Sequence, residues 1–206
     1  MKRIVLAAIV LVLALPIAVT AQSSQKLDKA TKKEFNTKKK ELKKEGWVIY
    51  GSSKSLDNAL LAHYSMLAKL GDNAEEIIGS APKCNNKDAG HLLAANNAAS
   101  KYAQQCNITL KGTTQSIISS GNGEEIDQFF SSYQSHVEVA IKDELQESFS
   151  IVKEVEPGMY EVMSFFILKK NKAAMVHLAA LEKIESQMNT ASIFIKKLEE
   201  TSEEKK

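Results

Sequence analysis

Residues 75–120 read EEIIGSAPKCNNKDAGHLLAANNAASKYAQQCNITLKGTTQSIISS, and the fold turns on how this stretch divides. The opening EEIIGSAP predicts an extended run, CNNK a turn, Asp88 to Gln105 a helix, and ITLKGTTQSII (residues 108–118) a second extended run. Together they are expected to form one strand-helix-strand unit. Within the helix, Leu92, Ala95, Ala99, Tyr102 and Cys106 recur at steps of three or four, and Ala94, Ala98 and Ala103 widen that stripe. Methyl-sized side chains on one face let a helix axis lie close to a sheet. Asn85, Asn86 or Asp88 can cap the helix by accepting from an orphan amide, and Asp88 also complements the helix dipole.

Cys84 and Cys106 are the only cysteines. A helix of about 18 residues is roughly 27 Å long, whereas a disulfide needs Cα atoms under about 7 Å apart. An internal bridge therefore requires the chain before the helix to run back along it. A Cys84–Cys106 disulfide, two separate thiols, and an intermolecular or metal role all stay open.

Residues 1–21 carry Lys2 and Arg3, then the apolar run Ile4 to Val19 broken only by Pro16, then Val19-Thr20-Ala21. This is the layout of a secretory signal peptide cleaved after Ala21. The run is shorter than the roughly 20 residues of a membrane span, so no transmembrane span is expected after cleavage. The expected location is the periplasm, the outer membrane or the medium. Without residues 1–21, 25 lysines face 25 acids and the net charge is zero. No arginine remains, which removes the residue best suited to bidentate contact with phosphate or guanine and argues against nucleic acid.

Residues 22–45 form a lysine-rich lead-in helix, with nine lysines against Asp28, Glu34, Glu41 and Glu45. Leu27, Ala30, Phe35 and Leu42 are too few to bury it fully, so it reads as a solvated helix docked by a few apolar groups. Residues 46–200 are expected to form a single α+β domain, with 201–206 a frayed tail. Trp47 to Tyr50 reads as a short strand, and Leu56 to Leu67 as a helix closed by Gly71. Residues 124–145 read as a helix with Ile126, Phe129, Phe130, Tyr133, Val137, Ile141 and Leu145 on one face. Ser148 to Val155 and Met159 to Lys169 form two strands around Pro157-Gly158, whose type II turn suits a connection slightly longer than the tightest hairpin. Met159 to Leu168 is apolar on both faces and belongs near the sheet centre. A helix from Asn171 to Glu199 closes the chain. The expected fold is α+β, a mixed sheet of about five strands packed by helices, with a long C-terminal helix.

No glycine-rich phosphate loop, HExxH, CxxC or GxSxG occurs, so no catalytic residue, cofactor or metal is assigned. His63 and His177 have no ligand partner at helical spacing. His136 lies near Glu138 and Asp143, but residues two apart do not share a helix face.

Ile77-Ile78-Gly79-Ser80-Ala81, the alanine-punctuated helix (Ala89, Ala94, Ala98, Tyr102-Ala103), Ile108 to Ile118, Val152 to Val155 and Pro157-Gly158-Met159-Tyr160-Glu161-Val162 are similar to the core of the LPP20 family of bacterial envelope lipoproteins. The likeness covers residues 74–169. It implies a non-catalytic α+β domain at the cell envelope, associated with the outer membrane or surface. The lysine-rich, arginine-poor style also resembles uncharacterised secreted proteins of the Bacteroides group. Gln22, not cysteine, follows the signal, so the lipid anchor of that family is not expected. The leading expectation is an exported interaction module that engages an envelope protein or itself through the C-terminal helix. The alternative is a small-molecule or lipid binding domain whose pocket, lined by Phe129, Phe130 and Tyr133, lies between the sheet and helix 124–145.

Overall fold

The computed structural model describes residues 29–114, 123–187 and Ile195. The signal segment, the tail and residues 115–118 lie outside these. The chain divides into two compact units, one containing the sheet (through Ala99, and Leu145–Lys169) and one helical (Ser100–Glu144 and from Lys170). The elements run α1 (Lys29–Lys44), β1 (Val48–Tyr50), α2 (Leu56–Leu70), β2 (Ala74–Cys84), α3 (Lys87–Thr113), α4 (Gly123–Ile141), β3 (Gln146–Glu156), β4 (Met159–Lys169) and α5 (Lys170–Gln187), with a 3-10 turn at Gly71–Asn73. α3 belongs to the sheet unit in its first half and to the helical unit in its second.

The sheet has four strands in the order β1-β3-β4-β2, and every pairing is antiparallel. This corrects the mixed sheet of about five strands. The missing strand is the run after Cys106, where α3 instead continues through Ile108 to Thr113. Ile108 and Thr109 favour a strand only weakly against a continuing helical pattern: Ala99, Ala103, Asn107, Leu110 and Thr114 recur at steps of three or four, and all are buried. The hydroxyls of Thr109 and Thr114 donate to the carbonyls of Gln105 and Leu110, four residues back, which accommodates threonine in a helix. A long C-terminal helix is likewise corrected. Among the described residues α5 has 18 residues and α3, with 27, is the longest helix.

One face of the sheet carries Ile151, Phe149 and Phe165, packed with Trp47 and with Leu42, Leu56, Ala59 and Leu60 from α1 and α2. The Ser55 side chain accepts from the Asn58 amide at the start of α2, and Gly71 closes it with φ of 52°. The other face carries Ala81, Val152 and Val162 against Ala94 of α3. Asn86 is the cap of α3: its Oδ1 accepts from the amides of Asp88 and Ala89 at 2.8 and 3.0 Å. The expected close packing of an alanine face is present, but its centre is Ala94 and Ala98, while Leu92 points to solvent. β4 is an interior strand, flanked by β3 and β2.

The β3–β4 connection is tighter than expected. Glu156 pairs with Met159 across Pro157-Gly158, and the ladder shifts register between Glu154 and Glu156. Gly158 has φ of 73°, as a type II turn requires; the irregularity beside it absorbs the mismatch of twist.

Gly79 of β2 and Gly90 of the helix set how deeply α3 sits, and Gly112 further along it does not. A Cβ on Gly79 of β2 would overlap the Ala94 carbonyl oxygen and lie 2.8 Å from Ala98 Cβ, whereas one on Gly112 meets nothing within 4 Å. The same change should therefore act with opposite sign at the two positions. Gly79→Ala is expected to destabilise by about 1–3 kcal/mol through overpacking, and Gly112→Ala to stabilise by up to about 1 kcal/mol through helix propensity. Urea unfolding of the two variants checks both.

Candidate functional site

In the helical unit, α5 places His177 against α3 and α4. Tyr102 and Cys106 sit one turn apart on α3, and Tyr133 lies mid-way along α4. The Tyr133 hydroxyl is 2.7 Å from His177 Nδ1, the Tyr102 hydroxyl 3.1 Å from Nε2, and Cys106 Sγ 3.8 Å from Nε2. Both tyrosine rings stack on the imidazole, with centroids 6.0 and 6.1 Å away. Burial lowers the His177 pKa from 6.5 to about 4, so the ring is neutral at ordinary pH, with one N–H and one lone pair. A phenol can donate or accept, so either tautomer satisfies both nitrogens. Burial, followed by the Cys106 charge, drives the Tyr133 phenol upward and keeps it protonated. A base this reluctant to take a proton does not generate a thiolate-imidazolium pair with Cys106. The cluster is a satisfied polar core that pins three helix segments together.

In the sheet unit a second chain of polar groups runs from β4 through β3 to α3. The Ser164 and Ser150 hydroxyls are 2.7 Å apart, Ser150 donates to Glu147 Oε1 at 2.7 Å, and His91 Nε2 lies 3.0 Å from both Glu147 oxygens. Glu147 and Ser150 are three residues apart and would face opposite sides of a regular strand. The register shift between Glu147 and Phe149 inserts one residue and brings both to the face covered by α3. The carboxylate stands between serine and imidazole, so His91 cannot act as the base that a nucleophilic serine requires. Beside it, the Tyr50 hydroxyl bonds Asp88, which raises the Tyr50 pKa, and the Tyr50 and His91 rings meet at 5.6 Å.

His63 lies on the buried face of α2, with no exposed surface. Its Nε2 is 2.6 Å from Glu76 Oε1, and the edges of Tyr64, Phe149 and Phe165 surround it. Among the described residues, Nδ1 has no hydrogen-bond partner. Burial, with Glu76 next, pushes Tyr64 up to about 12.

The residues singled out from sequence fall in both units. Phe129 and Phe130 are buried on α4, edge to face at 5.4 Å, and Tyr133 is held by His177. The cysteines are free. Cys84 Sγ donates to the Tyr160 carbonyl at 3.1 Å, and α3 runs unbroken from Lys87 past Cys106. At about 1.5 Å per residue, that helix is far longer than the reach of a Cys84–Cys106 disulfide. His136 meets Gln187 at 3.0 Å, not Glu138 or Asp143. Among the described residues, no group of three or more His, Cys, Asp and Glu is placed to hold a metal ion. No family model, curated protein or solved structure matches the chain.

The partners of His63, His91 and His177 lie 13, 56, and 44 to 75 residues away, beyond any local motif. The i, i+4 spacing of Tyr102 and Cys106 was the one visible hint that α3 presents polar groups to a neighbour.

The pH dependence of stability follows from His177. Its folded pKa, about 4 against 6.5, means that the unfolded chain takes the proton first as pH falls. This contribution is complete above pH 6.5 and is lost as pH falls towards 4, by roughly 3 kcal/mol. Denaturant titrations across this range should show the loss, and His177→Gln, which cannot titrate, should flatten it.

Proposed function

We propose that the chain is a non-catalytic interaction module exported to the bacterial cell envelope, where it contributes a surface to an assembly. The observation that carries this reading is the adjacent pair Leu92 and Leu93 on α3, which are 65% and 44% exposed. The same turns bury Ala94 and Ala98 inward, so the large apolar groups stand outside and the small ones inside. Full burial of a leucine is worth about 1.5–3 kcal/mol, and clustered exposed apolar groups mark contact surfaces. Met175 on α5, also exposed, offers a second contact for a partner protein or another copy. The internal hydrogen bonds of His63, His91 and His177 give those groups structural roles. The similarity to envelope lipoproteins and the export-type leader support the proposed location. Among the described residues no helix is long and apolar enough to cross a membrane. A lipid or small-molecule site at Phe129, Phe130 and Tyr133 would have to displace side chains already covered by protein, and no observation favours it.

Size-exclusion chromatography with light scattering and pull-down from envelope extract test the reading. The chain is expected to self-associate or retain a partner. L92Q/L93Q should lose that association while its unfolding free energy stays within about 0.5 kcal/mol, as for an exposed site. A strict monomer that retains nothing, or a double variant that assembles unchanged, refutes it.

A further inference from the structure

The outward face of α1 carries a charge arrangement that the fold itself does not use. At about 100° per residue, Lys29, Lys33, Lys40 and Lys44 fall between about 140° and 200° around the helix from the buried Leu42. They form one stripe about 22 Å long. All four are exposed, and none makes an ion pair among the described residues. On the flanks, Lys39 and Lys43 both reach Asp57 at 2.7 Å, and Lys38 reaches Glu41 at 3.3 Å, while Lys32, between Lys39 and Lys43 around the helix, is exposed and adds to the unpaired charge beside the stripe.

The nearby carboxylates are drawn away from the stripe. Glu41 is taken by Lys38. Glu45 accepts from the Trp47 indole at 2.9 Å and lies 3.5 Å from Lys153, and its pKa is lowered mainly by the indole bond. Glu34 sits about a quarter turn to one side. The four ammonium groups therefore add their fields with little local compensation, although lysines and acids balance over residues 22–206.

We propose that this stripe docks the protein on an anionic lipid bilayer. The stripe is straight and lies on one side of a rigid helix, so it can lie along a plane. Lysine is a mobile point charge, suited to lipid headgroups that rearrange around it. Arginine and aromatic side chains, which give bidentate phosphate contacts and base stacking, are absent from that face. The apolar side of α1, Phe35 and Leu42, is already packed against the sheet unit, so the contact is electrostatic and the helix does not insert. This surface is independent of the leucine pair on α3.

Cosedimentation of the full chain with vesicles tests it, comparing phosphatidylglycerol with neutral phosphatidylcholine; the leader, which carries Lys2 and Arg3, is the same in the parent chain and the variants, so its own uptake cancels between them. At low salt, binding should favour the anionic vesicles, and the preference should collapse in 0.5 M salt, where screening shortens to a few Å (about 3 Å at 1 M). Each lysine near an anionic surface contributes roughly fivefold, so K29Q/K33Q/K40Q/K44Q should lose roughly 100-fold or more. K101Q/K142Q/K169Q/K183Q, which removes as much charge elsewhere, should retain most of the preference. Circular dichroism should be native in both. Equal anionic preference in the stripe variant and the parent chain overturns the proposal, as does salt-sensitive binding to soluble polyglutamate without vesicle binding.

Discussion

Helix α3 reaches the sheet because two positions on the contact line have no side chain: Gly90 on the helix and Gly79 on β2. A Cβ at Gly90 would overlap Cys84 Sγ and come within 2.8 Å of Val162 Cγ2. That spacing fixes the depth of the helix, and with it the placement of everything α3 carries. Cys84 is left room to donate to the Tyr160 carbonyl, Asn97 to donate to the Ser80 carbonyl at 2.8 Å, and His91 to meet Glu147. A larger residue at either glycine would raise the helix from the sheet and loosen these contacts together. The interior is packed too densely to absorb such a shift locally.

Much of this was legible in the chain. The alanines at helical spacing foretold a close helix-sheet contact, the apolar run Val162 to Leu168 foretold an interior strand, and Gly71 foretold the end of α2. What failed was the boundary after Cys106. The β-branched residues Ile108, Thr109 and Thr113 spoke for a strand, yet the buried positions Ala99, Ala103, Asn107, Leu110 and Thr114 continue one helical face without a break. With no proline or capping glycine to end the helix there, periodicity outweighed local propensity. Counting a false strand then made the sheet appear mixed, because a strand-helix-strand unit implies a parallel pair.

The polar clusters were not legible, for a different reason. Each histidine is satisfied by residues distant in sequence, and the Glu147–Ser150 contact exists only because a bulge reverses the alternation of side chains. No spacing rule can show a contact created by an irregularity in the ladder. The order of groups once assembled is also informative. Serine, carboxylate and imidazole occur together at β3 and α3, but with the carboxylate central they form a brace between strand and helix. Tyrosine, histidine and cysteine occur together at α5, but burial holds the imidazole neutral. Proximity of reactive residue types therefore does not by itself supply chemistry; proton position decides it.

The sheet unit is covered by α1 and α2 on one face and by the first half of α3 on the other. The lysine stripe therefore faces out from one side, and Leu92 and Leu93 from the opposite side. A bilayer held by the first would leave the second directed away from it, so the two proposed contacts do not compete for the same surface. The forces differ as well. The lysine contact is long-ranged and weakened by salt, whereas burial of the leucines is short-ranged and driven by removal of apolar area from water. A module built in this way can be gathered to an anionic surface first and then select its partner by shape. Its lack of net charge over residues 22–206 is consistent with that division, since attraction comes from where the charges stand and not from their sum.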